Sequence, residues 1–212
     1  MNSVMVKIKV CGITNLADAE KALEFGADAL GLNFYPPSPR CLAPEKAREI
    51  LRHLPAGPCK VAVFVNEPRE KVEEVLRGTQ PDSDRGGFTG LQFHGEESDD
   101  FCRGWGVKVI KAFRLKERKS LERMKDFPAD FYLLDSWSPA YGGSGDSFPW
   151  EWIEEIDSTR LFLSGGLSVD NVTEAIRRIR PYGVDVCSGV EARPGIKDYG
   201  KLQEFIIAAK SA

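Results

Sequence analysis

Eight short apolar runs recur along the chain, each followed by a segment patterned as a helix, and few folds tolerate that rhythm. The runs are Val6–Val10, Ala29–Phe34, Lys60–Val65, Leu91–His94, Val107–Phe113, Phe131–Leu134, Leu161–Ser164 and Val184–Cys187. Between and after them lie LADAEKALEF, PEKAREILRHL, PREKVEEVLR, EESDDFCRGW, the weaker KERKSLERMKDF, PWEWIEEI, VDNVTEAIRRI and YGKLQEFIIAAK. Pro44 and Pro68 near first-turn positions, Ser168 as an N-cap and Gly26 just past a helix end mark boundaries. Strand and helix alternating eight times is the plan of an α/β chain folded as a single-domain (β/α)8 TIM barrel spanning residues 1–212. A doubly wound open sheet is the competing plan, but it places a Gly-rich fingerprint in its first βα turn. Here that turn is Cys11-Gly12-Ile13-Thr14-Asn15. Gly78 to Gly90 reads as a polar insertion on the αβ side.

The last two βα turns resemble each other. LFL runs into Ser164-Gly165-Gly166, and VDV runs into Cys187-Ser188-Gly189. Glycine lets the backbone approach a ligand closely, and a strand-to-helix turn aims N–H groups at one spot. The final pair of such turns is where a barrel commonly places a phosphate. Gly165, Gly166, Ser188 and Gly189 are therefore candidate phosphate ligands: either turn alone reads first as a simple tight turn, but the two together favour the phosphate site.

Residues two apart in a strand share a face. Lys7, Lys9 and Cys11 fall opposite Ile8 and Val10, Gln92 and His94 opposite Leu91 and Phe93, and Asp185 and Cys187 opposite Val184 and Val186. The outward face of a barrel meets the helices and must be apolar. The polar set, taken to be Lys9, Cys11, Asn33, Gln92, His94, Lys111, Asp135 and Asp185, is expected to line the interior as a polar network rather than an apolar plug. An ion pair of Lys9 with Asp185 follows, because the first and last strands become neighbours on closure.

Cys11 and Asp135 stand at strand C-terminal ends, the catalytic face. Near cations a thiol supplies a thiolate base, and a carboxyl in an enclosed pocket supplies an acid. Each also has a structural reading, as a small buried side chain and as a loop cap. Arg40, on the stiff Tyr35-Pro36-Pro37-Ser38-Pro39 loop, is a candidate clamp for a carboxylate or phosphate. His94 reads as a hydrogen-bonded core histidine. The other four cysteines, Cys187 among them, read as structural, and Trp150 and Trp152 as packing residues.

A net charge of −3 gives no electrostatic reason to expect nucleic acid, and no apolar run approaches a membrane span. Five scattered cysteines without a CxxC pair argue against a disulfide framework, and two histidines against a metal site. A reducing, cytoplasmic setting without metal or redox cofactor is expected.

Taken together, KVCGITN at Lys9–Asn15, LQFHGEES at Leu91–Ser98, LLDS at Leu133–Ser136, YGGSGDSFPW at Tyr141–Trp150, LSGGLSVDNV at Leu163–Val172 and DVCSGVEARPGIKD at Asp185–Asp198 resemble the phosphoribosylanthranilate isomerases of tryptophan biosynthesis. The resemblance implies a cofactor-free Amadori rearrangement of a phosphosugar, N-(5-phosphoribosyl)anthranilate, by a monomer or homodimer. It places the general base on Cys11 and the general acid on Asp135. It places phosphate binding on Gly165, Gly166, Ser188 and Gly189, substrate anion binding on Arg40, pocket lining on His94 and Asp185, and a mobile loop on Gly142–Gly145. Ser164 and Cys187 stand where the family often has alanine and serine. A related aminoaldose–ketose isomerase and a non-catalytic phosphometabolite-binding barrel are the alternatives. The histidine-pathway isomerase would carry an aspartate in place of Cys11.

Overall fold

Parallel strands cannot be joined by tight hairpins, so each return must cross over the sheet, and eight such returns curl the sheet shut. The computed structural model describes residues 5–79, 87–124, 126–138 and 147–212. Its strands run in sequence order around a closed parallel barrel: β1 (Lys7–Cys11), β2 (Ala29–Asn33), β3 (Cys59–Phe64), β4 (Gly90–Phe93), β5 (Lys108–Leu115), β6 (Phe131–Ser136), β7 (Leu161–Leu163) and β8 (Gly183–Val186). β8 returns to β1 with Lys9 opposite Asp185, which closes the ring. All eight expected strands form within a few residues of their expected bounds.

Among the described residues five α-helices pack outside: α1 (Leu16–Phe25), α2 (Pro44–His53), α3 (Arg69–Gly78), α4 (Val172–Ile179) and α5 (Tyr199–Lys210). Their limits follow from local chemistry. The Asn15 side chain accepts from the Asp18 amide at the start of α1, and Gly26 ends it at φ 107°. Pro44 opens α2, where a missing N–H costs nothing. α4 buries Val172, Ala175, Ile176 and Ile179, an i, i+3, i+4, i+7 stripe against the sheet. It starts later than expected: Ser168 instead builds a turn ahead of it, its Oγ accepting from the Asp170 amide.

Three expected helices are replaced. Residues 96–105 form turns, because Gly104 and Gly106 take left-handed φ of 75° and 71° and the segment's apolar content is aromatic. Phe101 and Trp105 cover the sheet by packing on Phe93. Residues 118–124 form a 3-10 helix with no buried side chain, as their all-round charge allows. Trp150–Trp152 is a single 3-10 turn, with both tryptophans packed against the core. Residues 80–86, and with them most of the Gly78–Gly90 insertion, lie outside the described residues, as does Gly142–Gly145.

The described residues form two apolar cores. The outer one fills the space between sheet and helices, with Ile8, Val10, Leu30, Leu32, Phe64, Phe93, Leu134 and Phe205 among its members. The inner one is a plug of Val61, Val63, Ile110, Ala112, Leu133 and Phe162 within the barrel. The expectation of an interior without an apolar plug is thus corrected: β3, β5, β6 and β7 contribute an apolar side, while β1, β4 and β8 carry the polar groups. Lys111 is a second correction. It shares the outward face of β5 with Val109 and Phe113, because Ile110 and Ala112 take the inward positions. A buried ammonium there needs a full set of acceptors. Lys111 finds them in the carbonyls of Phe93, Gly95 and Ala112 and in the Glu97 carboxylate.

Candidate active site

Side chains from β1, β4, β6 and β8 and from the loops after β2 and β7 converge on the C-terminal mouth. On β1, Lys9 is fully buried and its Nζ lies 2.5 Å from Asp185 Oδ1, the expected ion pair. Ser164 Oγ donates to the other carboxylate oxygen at 3.3 Å. One pleat higher, Cys11 faces the interior. A Cβ on Gly31 of β2 would lie 2.7 Å from Cys11 Sγ and 3.2 Å from Lys9 Nζ, so ammonium and sulfur share one glycine-sized recess. Cys187, read from the sequence as structural, follows directly after β8, at the same mouth. Its sulfur would lie 2.8 Å from a Cβ on Gly12, whose left-handed φ of 74° already excludes most side chains. The neighbouring Cys187 thiol, with the charges of Lys9 and Lys197, lowers the Cys11 thiol from 9.0 to about 6 against burial and the Asp185 charge. Cys187, whose Sγ donates to Glu191 Oε1 at 3.8 Å, moves the other way, raised by the Cys11 sulfur and by burial.

The carboxylate at the mouth is Asp135, on β6. Its Oδ1 accepts from the Ser136 amide at 2.9 Å and its Oδ2 lies 3.1 Å from His94 Nε2. His94 Nδ1 in turn lies 2.8 Å from the Gln92 side-chain amide nitrogen. Gln92, His94 and Asp135 thus form one chain of polar groups from β4 to β6. Both His94 and Asp135 have side chains only 11% exposed, which matches the expectation that His94 is a hydrogen-bonded histidine of the interior.

The two glycine turns meet. A Cβ on Gly189 would lie 2.0 Å from the Leu167 carbonyl oxygen, so the turn after β8 rests directly on the turn after β7. Gly165 and Gly166 both take left-handed φ, 83° and 66°. A Cβ on Gly165 would lie 2.6 Å from the Ser136 amide and 3.1 Å from Asp135 Oδ1. The glycine at this point therefore joins the paired turns to the carboxylate. Ser188 and Gly189 begin a single 3-10 turn, Ser188–Val190.

Arg40 is held rather than swinging in solvent. Its Nε and Nη2 donate to the two oxygens of Glu191 at 2.9 and 2.7 Å, with only 11% of the side chain exposed. Glu191 was missed in the sequence, as was Lys197. They flank a two-stranded hairpin, β9 (Glu191–Arg193) and β10 (Ile196–Lys197), turned by Gly195 at φ 81°. Lys197 Nζ reaches the carbonyls of Cys11 and Cys187 at 2.6 and 3.2 Å, and Glu191 Oε1 at 3.3 Å. Burial alone would raise the Glu191 carboxyl; the bond from Arg40 and the charges of Lys197 and Arg40 hold it below its ordinary value. The signal available in the sequence was opposite charges on either side of Arg193-Pro194-Gly195. Arg114 is a further unanticipated group, bridging Glu96 and the Ser138 carbonyl at the mouth. Among the described residues no cluster of His, Cys, Asp and Glu is arranged to hold a metal ion, and no helix is long and apolar enough to cross a membrane.

Residues 8–208 match the model of the N-(5'-phosphoribosyl)anthranilate isomerase family. A relative of that name from Pelobacter propionicus is 46% identical over 208 residues, 97% of this chain and 96% of its own length. The crystal structure of phosphoribosyl anthranilate isomerase from Thermotoga maritima superposes with a TM-score of 0.88 at 44% identity, covering 98% of this chain and all of that one. A second crystal structure, of the isomerase in complex with reduced 1-(o-carboxyphenylamino)-1-deoxyribulose 5-phosphate, gives a TM-score of 0.83 at 40% identity over 98% of this chain and 100% of the other. Matched from its first strand into its last helix, this barrel belongs to the N-(5'-phosphoribosyl)anthranilate isomerases.

Proposed function

We propose that this aldose–ketose isomerase of tryptophan biosynthesis carries out its Amadori rearrangement with Asp135 as general acid and Cys11 as general base. The substrate is N-(5-phosphoribosyl)anthranilate and the product 1-(2-carboxyphenylamino)-1-deoxyribulose 5-phosphate. The observation that carries the assignment is the Cys11 thiol beside the Lys9 ammonium, on the same mouth as the Asp135 carboxyl.

The phosphate sits against the touching turns at Gly165, Gly166, Ser188 and Gly189, which places the ribose over the mouth. Arg40, oriented by Glu191, turns its remaining Nη toward the anthranilate carboxylate. Asp135 protonates the furanose ring oxygen, the C1–O bond breaks, and nitrogen's lone pair forms the Schiff base. The Cys11 thiolate removes the proton from C2, and the electron pair moves into the C1–C2 bond to give an enolamine. Tautomerisation to the ketone completes the change. No electron leaves or enters the substrate, so positioned acid and base suffice.

His94 fits both protonation states of Asp135. With Nδ1 accepting from the Gln92 amide, Nε2–H donates to the carboxylate. With the amide turned over, Nδ1–H donates to the Gln92 oxygen and Nε2 accepts from the carboxylic acid. Asp185 acts beneath, holding Lys9 under the thiol.

The test is the loss of substrate fluorescence in freshly generated phosphoribosylanthranilate, with Cys11→Ser and Asp135→Asn alongside. Each substitution is expected to lower turnover by about 10²-fold or more, the scale of a lost acid or base. Near-normal turnover in either variant of a folded protein removes that residue from its role. No turnover from the unaltered protein moves the reading to a different phosphosugar or to binding alone.

A further inference from the structure

Resting on the reading of Cys11 as the base, we infer that Lys197 is a positioning residue of the isomerase: its buried ammonium holds the Cys11 backbone at the barrel mouth and, through Glu191, holds Arg40 in the same frame.

The β1–β8 ladder ends at Val10 and Val186, so the next residues, Cys11 and Cys187, stand just past its last pair. Lys197 Nζ donates to both of their carbonyls, at 2.6 and 3.2 Å, and so bridges the two chain ends where the ladder stops. Its third bond goes to Glu191 Oε1 at 3.3 Å. An ammonium has three N–H donors, and here each has an acceptor. The side chain is 0% exposed. A buried ammonium is costly unless its donors are met, so this set of acceptors keeps it in one place.

The backbone that carries Lys197 is anchored as well. β9 and β10 form a sheet of their own, beside the barrel. The Lys197 amide donates to the Asp18 carboxylate of α1 at 2.9 Å, and Thr14 Oγ1 donates to the Gly195 carbonyl at the hairpin turn. These bonds seat the hairpin on the segment that follows β1.

Glu191 passes the hold on. Its two oxygens take Nε and Nη2 of Arg40, and Oε1 is the atom that also meets Lys197. Cys11 on β1 and Arg40 after β2 are thus fixed relative to each other through one ammonium. A shift of about 1 Å at a reacting group can cost about 10²-fold in rate, so this tie acts on turnover and not on stability alone. The charged groups around the Cys11 thiol are Lys9 and Asp185 from the strands, Lys197 and Glu191 from the hairpin, and Arg40 from the loop after β2. Loss of Lys197 removes one cation from that set, which disfavours the thiolate.

The experiment compares wild type, Lys197→Met and Lys197→Gln, each well below its melting temperature. It measures kcat and KM with phosphoribosylanthranilate, and the pH midpoint of Cys11 alkylation by iodoacetamide in substrate-free protein, read by mass of the peptide. In Lys197→Met kcat is expected to fall by about tenfold or more and KM to rise. The alkylation midpoint is expected to rise by about half a pH unit or more. Lys197→Gln keeps N–H donors without the charge, and is expected to retain more of kcat while showing the same rise in midpoint. A kcat and a midpoint that both match wild type in Lys197→Met would overturn the inference, and Lys197→Gln supplies the same comparison if the methionine variant fails to fold. A fall in kcat without a shift in midpoint marks a general loss of structure and overturns it too, as does a rise in KM alone. A shifted midpoint with unchanged kcat supports the hold on Cys11 and removes that thiol from its place as the base.

Discussion

Asp185→Asn separates charge from shape at a fully enclosed ion pair of the barrel interior. Lys9 and Asp185 have side chains 0% and 6% exposed, with 2.5 Å between charged atoms, and the amide occupies nearly the same volume as the carboxylate. Removing one partner of a buried pair costs about 3–5 kcal/mol, because the other charge stays desolvated without compensation. In this protein the Cys11 thiolate remains beside the ammonium, so the lower end of that range, about 3 kcal/mol, is expected. For a chain of this size each kcal/mol is about 2–4 °C, so the melting temperature should fall by about 6–12 °C. Lys9 is held above its ordinary 10.5 by Asp185 and Cys11, against burial. Its contribution is thus complete below that value and lost only as pH rises through the folded-state pKa. The loss should appear undiminished at neutral pH. Urea unfolding followed by tryptophan fluorescence gives the free energy, with an unchanged m value as the control for compactness. In a Cys11→Ser background the ammonium loses both anions, and the cost of Asp185→Asn should grow by about 1–2 kcal/mol, as neighbouring sites couple. A loss under about 1 kcal/mol, or strict additivity of the two substitutions, would refute the electrostatic account of this interior.

Three further outcomes are expected. Because folding lowers the Cys11 thiol from 9.0 to about 6, its stabilisation is present above the upper value and lost as pH falls toward the lower. The stability difference between wild type and Cys11→Ser should therefore grow from pH 6 to pH 9, by at most about 1.4 kcal/mol per pH unit; chemical denaturation across that window checks it, and a flat difference contradicts it. Gly189→Ala must push its new methyl against the Leu167 carbonyl. It should cost about 1–3 kcal/mol and weaken binding of inorganic phosphate by about tenfold, read by calorimetry. Glu191→Gln leaves Arg40 and Lys197 without their shared anion and should destabilise by about 3 kcal/mol in thermal melting, raising KM as Arg40 loses its orientation.

How much of this was legible before folding depends on the range of the interaction concerned. All eight strands could be read because β-rich runs between helix signals are local patterns. The Lys9–Asp185 pair could be read because barrel closure makes the first and last strands neighbours whatever their details. Lys111 could not: its inward or outward facing follows from the register of β5 against β4 and β6, which puts Ile110 and Ala112 inside. The helices expected at 96–105 and 149–156 failed because aromatic packing on the sheet covered it without a regular helix.

The sequence by itself determined the barrel, the position of Cys11 and Asp135 at strand ends, and the paired glycine turns, since each follows from short-range periodicity and backbone freedom. Only the tertiary structure decided which groups touch. It set Cys187 against Gly12, Glu191 across Arg40, Lys197 on the backbone carbonyls of Cys11 and Cys187, and Gly189 on the Leu167 carbonyl. These contacts join residues up to 186 positions apart, and sequence spacing carries no term for side chains that meet only when the ring of strands is closed.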